Sequence, residues 1–414
     1  MERESRERRF LHPIAISLLI GALGCATPPA PTLSTSRALA YGDAAAMTRE
    51  LTLGSSREVR LEALGVTFRV PTDHEVEHQA LEHFDSVYFD IGTEFPVACQ
   101  IHHRRKDLAN FLAYHPPHPL DPPTLSPETR RIAHLGTGAE AGHAFLTLHW
   151  VYPGPAGFGI VKQAAANAYD HTIYCRHREP GYEQTFEEVF RTLLSTFLSD
   201  HGVDPYYGEI AVIRIGDRPI GIEITEMRRG YDGRSRIDYN QSLLLPRGPG
   251  ALVATDTQEI SFTSEDGDLL RQRARLRQAG MLANDLVLHS ASPGRWQVSG
   301  VFGGQRYQHA FTAPRPLRSS LGSALDIREQ LIDAGTEAEV TSWIWRPEEA
   351  PSGASQVRTE VTGTAEHGYY TGVETVGDWQ RQLVLDIDGS LVSSRTDMGP
   401  ATLQMERVWV AGTY

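Results

Sequence analysis

Residues 208–230 read GEIAVIRIGDRPIGIEITEMRRG. Isoleucine and valine crowd both halves, and Gly216-Asp217-Arg218-Pro219 separates them. That pattern predicts two antiparallel strands joined by a turn. The same grammar runs on to the C-terminus, with strand-like runs at 234–245, 252–263, 268–277, 282–289, 295–302 and 304–312. A helical stretch, SSLGSALDIREQLIDAG, occupies 319–335. Strands resume at 338–345, 356–365, 369–376, 381–388 and 391–396, and LQMERVWV comes last. Asp386-Ile387-Asp388-Gly389 is a further hairpin turn.

The segment before this one mixes both periods. EVRLEALGVTFRVP predicts a hairpin, followed by strands at 87–92 and 97–104 and a short helix, DLANFLAY, at 107–114. HPPHPLDPPTLSP (115–127) is too rich in proline for regular structure. Strand-like runs follow near 130–135, 142–152 and 157–176. Phe186, Val189, Phe190, Leu193, Leu194, Phe197 and Leu198 then recur at three- and four-residue spacing, which predicts an amphipathic helix with Thr185 and Glu188 as a capping box. The expected fold class is α+β: an N-terminal antiparallel sheet with a C-terminal helix, then a mostly antiparallel β half-barrel with an embedded helix.

Length and composition bound what such a chain can be. At about 150 residues per domain, 414 residues suggest two cores. A net charge of −13 speaks against a nucleic-acid partner, which needs a basic footprint. Mean hydropathy of −0.32 excludes a polytopic membrane protein. Only Lys106 and Lys162 are lysines; the other basic residues are arginine, a bias typical of GC-rich bacterial genomes.

The N-terminus supplies an address. An apolar run from Ile14 to Leu23 is half the length that a bilayer core requires and the right size for a signal peptide. It ends in Ala22-Leu23-Gly24-Cys25, which resembles the lipobox of bacterial lipoproteins. That resemblance implies cleavage after residue 24, lipidation of Cys25 and a membrane contact through the anchor. It departs from the family's pattern at Ala22, where leucine is preferred. Ala26 after the cysteine resembles lipoproteins sent to the outer membrane, at its periplasmic face or the cell surface. Residues 25–49, rich in Pro, Ala, Ser and Thr, have the composition of a flexible tether. The organisation is then a signal peptide at 1–24, a tether at 25–49, an α+β domain at 50–203 and a β-rich domain at 204–414. Cys99 and Cys175 remain, each in a strand-like run, and either pair as a disulfide or stay as buried thiols.

Element order and the phrase GVTFRVP give the first domain a resemblance to the PsbP-like fold, chiefly a binding and assembly module. Sequential antiparallel strands around one helix give the second a resemblance to the LolA-like half-barrel, which implies a concave sheet holding an apolar or amphipathic ligand. Neither resemblance assigns residues. The expected function is a non-catalytic binding or assembly module for such a ligand or an envelope protein partner, with no cofactor; a pure scaffold is the plainest variant.

Two strings invite sharper chemistry. His74-Glu75-Val76-Glu77-His78 matches H-E-x-x-H. On a helix, His74 and His78 would share a face and bind zinc with Glu75 as general base of a hydrolase. Against this, Pro71-Thr72-Asp73 precede the string and Glu77 is charged, so a solvated turn is the plainer expectation. Arg271, Arg273, Arg275 and Arg277 alternate and so share one strand face, which suits anionic headgroups or phosphate. They also suit ordinary cross-strand pairing. A turn at Glu265-Asp266-Gly267 would set Arg273 opposite Glu259.

Overall fold

The computed structural model describes residues 47–115, 125, 128–154, 157–200, 202, 204–230, 233–334, 337–347, 351–364 and 368–412. Cys25, with the expected signal peptide and most of the tether, lies outside them. The chain is mostly antiparallel β, with three α-helices among the described residues.

A small sheet joins β1 (Ser56–Leu61), β2 (Val66–Pro71) and β10 (Leu198–Ser199). A seven-stranded sheet has the order β3-β4-β5-β9-β8-β7-β6. Its strands are β3 (Glu77–Ala80), β4 (Phe84–Phe89), β5 (Val97–His102), β6 (Arg131–Glu140), β7 (His143–Gly154), β8 (Gly157–Ala168) and β9 (His171–His177). Helix α1 (Leu108–Tyr114) follows β5, and α2 (Glu183–Thr196) follows β9. Phe186, Val189, Phe190, Leu193 and Leu194 of α2 are fully buried against Phe68, Ile101, Phe145 and Ile173, as their spacing requires. Cys99 and Cys175 are direct partners in the β5–β9 register, with their sulfurs 2.00 Å apart.

Three local expectations need correction. Thr185 lies inside α2, whose N-cap is Tyr182, and its hydroxyl accepts the amide of Leu51 at 3.2 Å, so no capping box forms. Leu198 leaves the helix face for β10 and is 63% exposed. The run 157–176 is two strands, β8 and β9, broken by a turn where Tyr169 takes φ of 50°.

From 207 onward a fourteen-stranded sheet forms, in the order β18-β17-β16-β15-β14-β13-β12-β11-β24-β23-β22-β21-β20-β19. The first half comprises β11 (Tyr207–Ile215), β12 (Arg218–Arg229), β13 (Ser235–Pro246), β14 (Leu252–Thr263), β15 (Leu269–Gln278), β16 (Met281–Ser292), β17 (Arg295–Phe302) and β18 (Gln305–Thr312). Helix α3 (Ser320–Ala334) intervenes. The second half is β19 (Ala338–Ile344), β20 (Ser355–Thr364), β21 (Tyr370–Val376), β22 (Trp379–Leu385), β23 (Leu391–Asp397) and β24 (Thr402–Gly412). These bounds follow the alternation read from the sequence to within a few residues.

The sheet is barrel-like because residues before α3 close it. Leu269 donates its amide to the carbonyl of Leu317, and Arg318 donates to that of Trp343, each at 2.7 Å. This strap connects the start of β15 to the end of β19. Trp345, only 1% exposed, packs with Leu286, Leu288 and Trp296 of β16 and β17.

The seven- and fourteen-stranded sheets share a core. Leu108, Leu112, Leu146, Trp150 and Tyr174 cluster with Ile210, Ile222, Leu244 and Ala254 on the outer face of the barrel. Gly142 turns β6 into β7 at φ of 80°, and a Cβ there would meet the Trp409 ring at 2.9 Å, so glycine permits both the turn and the contact. Asp256, 5% exposed, locks α1 to this face. Its carboxylate accepts the amides of Ala109 (3.0 Å) and Asn110 (2.8 Å), the Asn110 side-chain amide (2.7 Å) and the Ser242 hydroxyl.

Candidate functional site

The inner face of the barrel carries a cavity lined by residues of the sheet and of α3. Register decides which residues look inward: Glu209 lies opposite Thr225, Thr225 opposite Tyr239, and Tyr239 opposite Glu259. All four line a cavity of about 340 Å³ between the sheet and α3. Such a volume is at the lower end for small-molecule sites. Ser319, Ser320, Ser323 and Ala324 face it from the start of α3, where larger side chains would fill the space.

One part of the wall is apolar, with Met227, Ile237, Ile327, Trp345, Leu383 and Leu385. The floor is not. Glu223 accepts a hydrogen bond from the Tyr239 hydroxyl at 2.8 Å and from the Gln241 amide at 3.2 Å. Glu259 accepts the Gln272 amide at 2.8 Å, and Glu209 the Tyr207 hydroxyl at 2.6 Å. Arg381 pairs with Glu374 at 2.8 Å. Burial raises the carboxyl pKa of both Glu209 and Glu223, more than their hydrogen bonds and the nearby arginines lower it. Burial likewise pushes the Tyr239 phenol well up, aided by Glu223. Among the described residues, the indole N–H of Trp379 and the Ser323 hydroxyl, both on the lining, have no hydrogen-bond partner. The cavity therefore offers a polar end and a greasy wall, the chemistry that holds an amphipathic small molecule.

The sequence had put its candidates elsewhere. The string at 74–78 is not helical: His74 sits at a bend, and His78 lies in β3. Their Nε2 atoms face different carboxylates, Asp90 at 3.8 Å and Asp85 at 3.7 Å, while Glu75 is exposed. The single-face geometry that the zinc alternative requires is absent here. The arginine run does share one face, the outer one, but its members divide. Arg273 forms a two-pronged pair with Asp285 at 2.8 and 2.9 Å. Arg275 and Arg277 converge on Asp107, at 3.6 and 2.7 Å, while Arg271 stands opposite His289. Arg273 lies across from Ile260, not Glu259, because a bulge at Phe262/Thr263 shifts the ladder by one residue.

The inward glutamates escaped notice because an alternating strand gives polar residues no label for which side is wet. Glu209 and Glu223 look like solvent-facing positions until topology places α3 over them.

No family model matches the sequence, and no curated protein matches it. Among solved structures, the chain is similar to a β-barrel-like protein of the DUF1849 domain of unknown function from Brucella abortus. Identity there is 11% and the TM-score 0.40, over 50% of this chain and 98% of the other. It is also similar to a DUF1089 family protein from Pseudomonas aeruginosa, at 15% identity and a TM-score of 0.27, over 41% of this chain and 87% of that one.

Proposed function

We propose that this chain is a lipid-anchored binding protein of the bacterial cell envelope, exported and tethered through Cys25, that holds a small amphipathic molecule inside its barrel. The carrying observation is the 340 Å³ cavity with an apolar wall and a floor of buried carboxylates. The resemblance to LolA-like half-barrels agrees with a ligand held on a concave sheet. The polar floor adds a constraint: Glu209, Glu223, Glu259 and Glu374 outnumber Arg346 and Arg381 on the lining, so a neutral or cationic headgroup fits better than an anionic one.

The test uses the full chain in mild detergent and 1-N-phenylnaphthylamine, a neutral dye that brightens in apolar sites. The dye should bind, a long-chain alkylamine should displace it more strongly than the matching fatty acid, and Ser323→Trp should abolish binding by filling the cavity. Equal dye binding by Ser323→Trp and the parent would place the dye elsewhere and overturn the reading. The anchor is tested separately. Radiolabelled palmitate should enter the parent and not Cys25→Ala; equal labelling of both would refute lipidation.

A further inference from the structure

The β15–β16 hairpin ends in Gln278-Ala279-Gly280-Met281-Leu282, and its tip rests on α1. The Gly280 amide donates to Asn110 Oδ1 at 2.7 Å, Asn110 Nδ2 donates to the Arg277 carbonyl at 3.2 Å, and Arg277 Nε reaches Asp107 at 2.7 Å. Held this way, the tip presents Met281 at 72% exposure and Leu282 at 37%, and Gly280 between the two strands sits against Tyr114, itself 42% exposed. Twelve large apolar side chains are exposed among the described residues, and three of them gather here. Lone exposed apolar residues need no explanation, but a fixed group of three does.

Cations surround the same tip. An open cleft of about 380 Å³ is lined by Arg105, Lys106, Arg275 and Arg277, with Phe111 and Tyr114. Among the described residues its one lining carboxylate is Asp107, and Glu226 holds Arg105 at 3.2 Å. Arg104 is exposed next to it. Lys106, one of two lysines in the chain, is exposed, and among the described residues its ammonium has no ion-pair partner. A chain with net charge of −13 thus displays a local excess of positive charge around an apolar point. That pairing suits one kind of partner, a lipid surface carrying negative headgroups.

We propose that this junction between α1 and the β15–β16 tip is a membrane-contact surface for an anionic phospholipid leaflet. The cleft receives the headgroup phosphate, and Met281 and Leu282 enter the acyl boundary. The surface lies on the outer face of the barrel, so it does not depend on the cavity being a ligand site. Nor does it depend on the anchor, and the test removes that contribution.

The full chain carrying Cys25→Ser is sedimented with vesicles of phosphatidylcholine, alone or with about a third phosphatidylglycerol. Partition onto the anionic vesicles should exceed that onto phosphatidylcholine and weaken as salt rises. Lys106→Glu and Met281→Asp, each at an exposed side chain, should weaken it by roughly tenfold with unchanged melting temperature. Equal partition of parent and both variants, or equal partition onto the two vesicle types, would overturn the proposal. Inorganic phosphate is the third arm. Thermal stabilisation of the parent by phosphate, lost in Lys106→Glu and without vesicle binding, would make the cleft a free-anion site and equally refute a membrane role.

Discussion

At the scale of single residues, Asp256 shows how a buried charge joins two parts of a chain. Four donors converge on its carboxylate, yet burial outweighs them and pushes its pKa up to about 6. The folded state therefore binds a proton more readily than the unfolded chain, whose aspartate titrates near 3.8. Stability contributed by this group falls as pH rises from about 4 to about 6. Asp256→Asn does not titrate, so the difference in urea stability between parent and variant should shift toward the parent on acidification through that window. The full shift is about 3 kcal/mol, two pH units at ~1.4 kcal/mol each. A pH-independent difference would show that Asp256 is already ionised normally. Nothing in the sequence marked this residue, because its donors on α1 lie 146 and 147 positions away. Thr185 teaches the converse. A correct local signature, Thr-x-x-Glu, lost to a tertiary contact with Leu51.

Among the elements, the strands of the seven-stranded sheet combine two features that sequence alone could only pair up. Most histidines of the chain fall in this region, and alternation correctly separates His102, which is buried, from His103, which is only partly so. Burial lowers the pKa of His102 in β5 and of His177 in β9 to about 3, and that of His149 in β7 well below its usual value. These groups stay neutral in the fold but protonate near 6.5 once unfolded. Their contribution is complete above about pH 6.5 and is lost progressively toward pH 3, at ~1.4 kcal/mol per pH unit per histidine. Urea midpoints should accordingly drop below pH 6.5, and His177→Gln should flatten the slope; an unchanged slope would deny its burial as a neutral imidazole. The bond between Cys99 and Cys175 encloses 76 residues of sequence separation. On the chain-entropy model it contributes about 4 kcal/mol. Reduction, or Cys99→Ala with Cys175→Ala, should lower the melting temperature accordingly. A melting curve indifferent to reductant would refute that contribution.

For the whole molecule, strand existence was legible from period-two alternation, but closure was not. An alternating strand says which residues share a face and leaves open which face is covered. Here the barrel-like sheet is covered on both: α1 and the seven-stranded sheet pack outside, α3 inside. A one-residue bulge at Phe262/Thr263, invisible in composition, resets the β14 partner of each of the four arginines in β15. Closure itself rests on the strap and on Arg318. Its guanidinium donates to Asp268 Oδ1 and to the Asp266 carbonyl at 2.7 Å, and also pairs with Asp326 of α3. One side chain thus ties the β14–β15 turn to the helix roofing the cavity, while its own amide joins β19. Arg318→Ala removes all three side-chain contacts and leaves Asp326, which is partly buried, without this partner. The expected loss is about 2–3 kcal/mol, with the damage concentrated at the closure. Hydrogen exchange at the Leu269 amide should accelerate more than tenfold, since that group donates to the strap carbonyl of Leu317. The amides of β7 and β8, remote from the strap, should keep their protection. Uniform loss of protection would show that the barrel unfolds as one unit, and no change would show that the strap does not hold it shut.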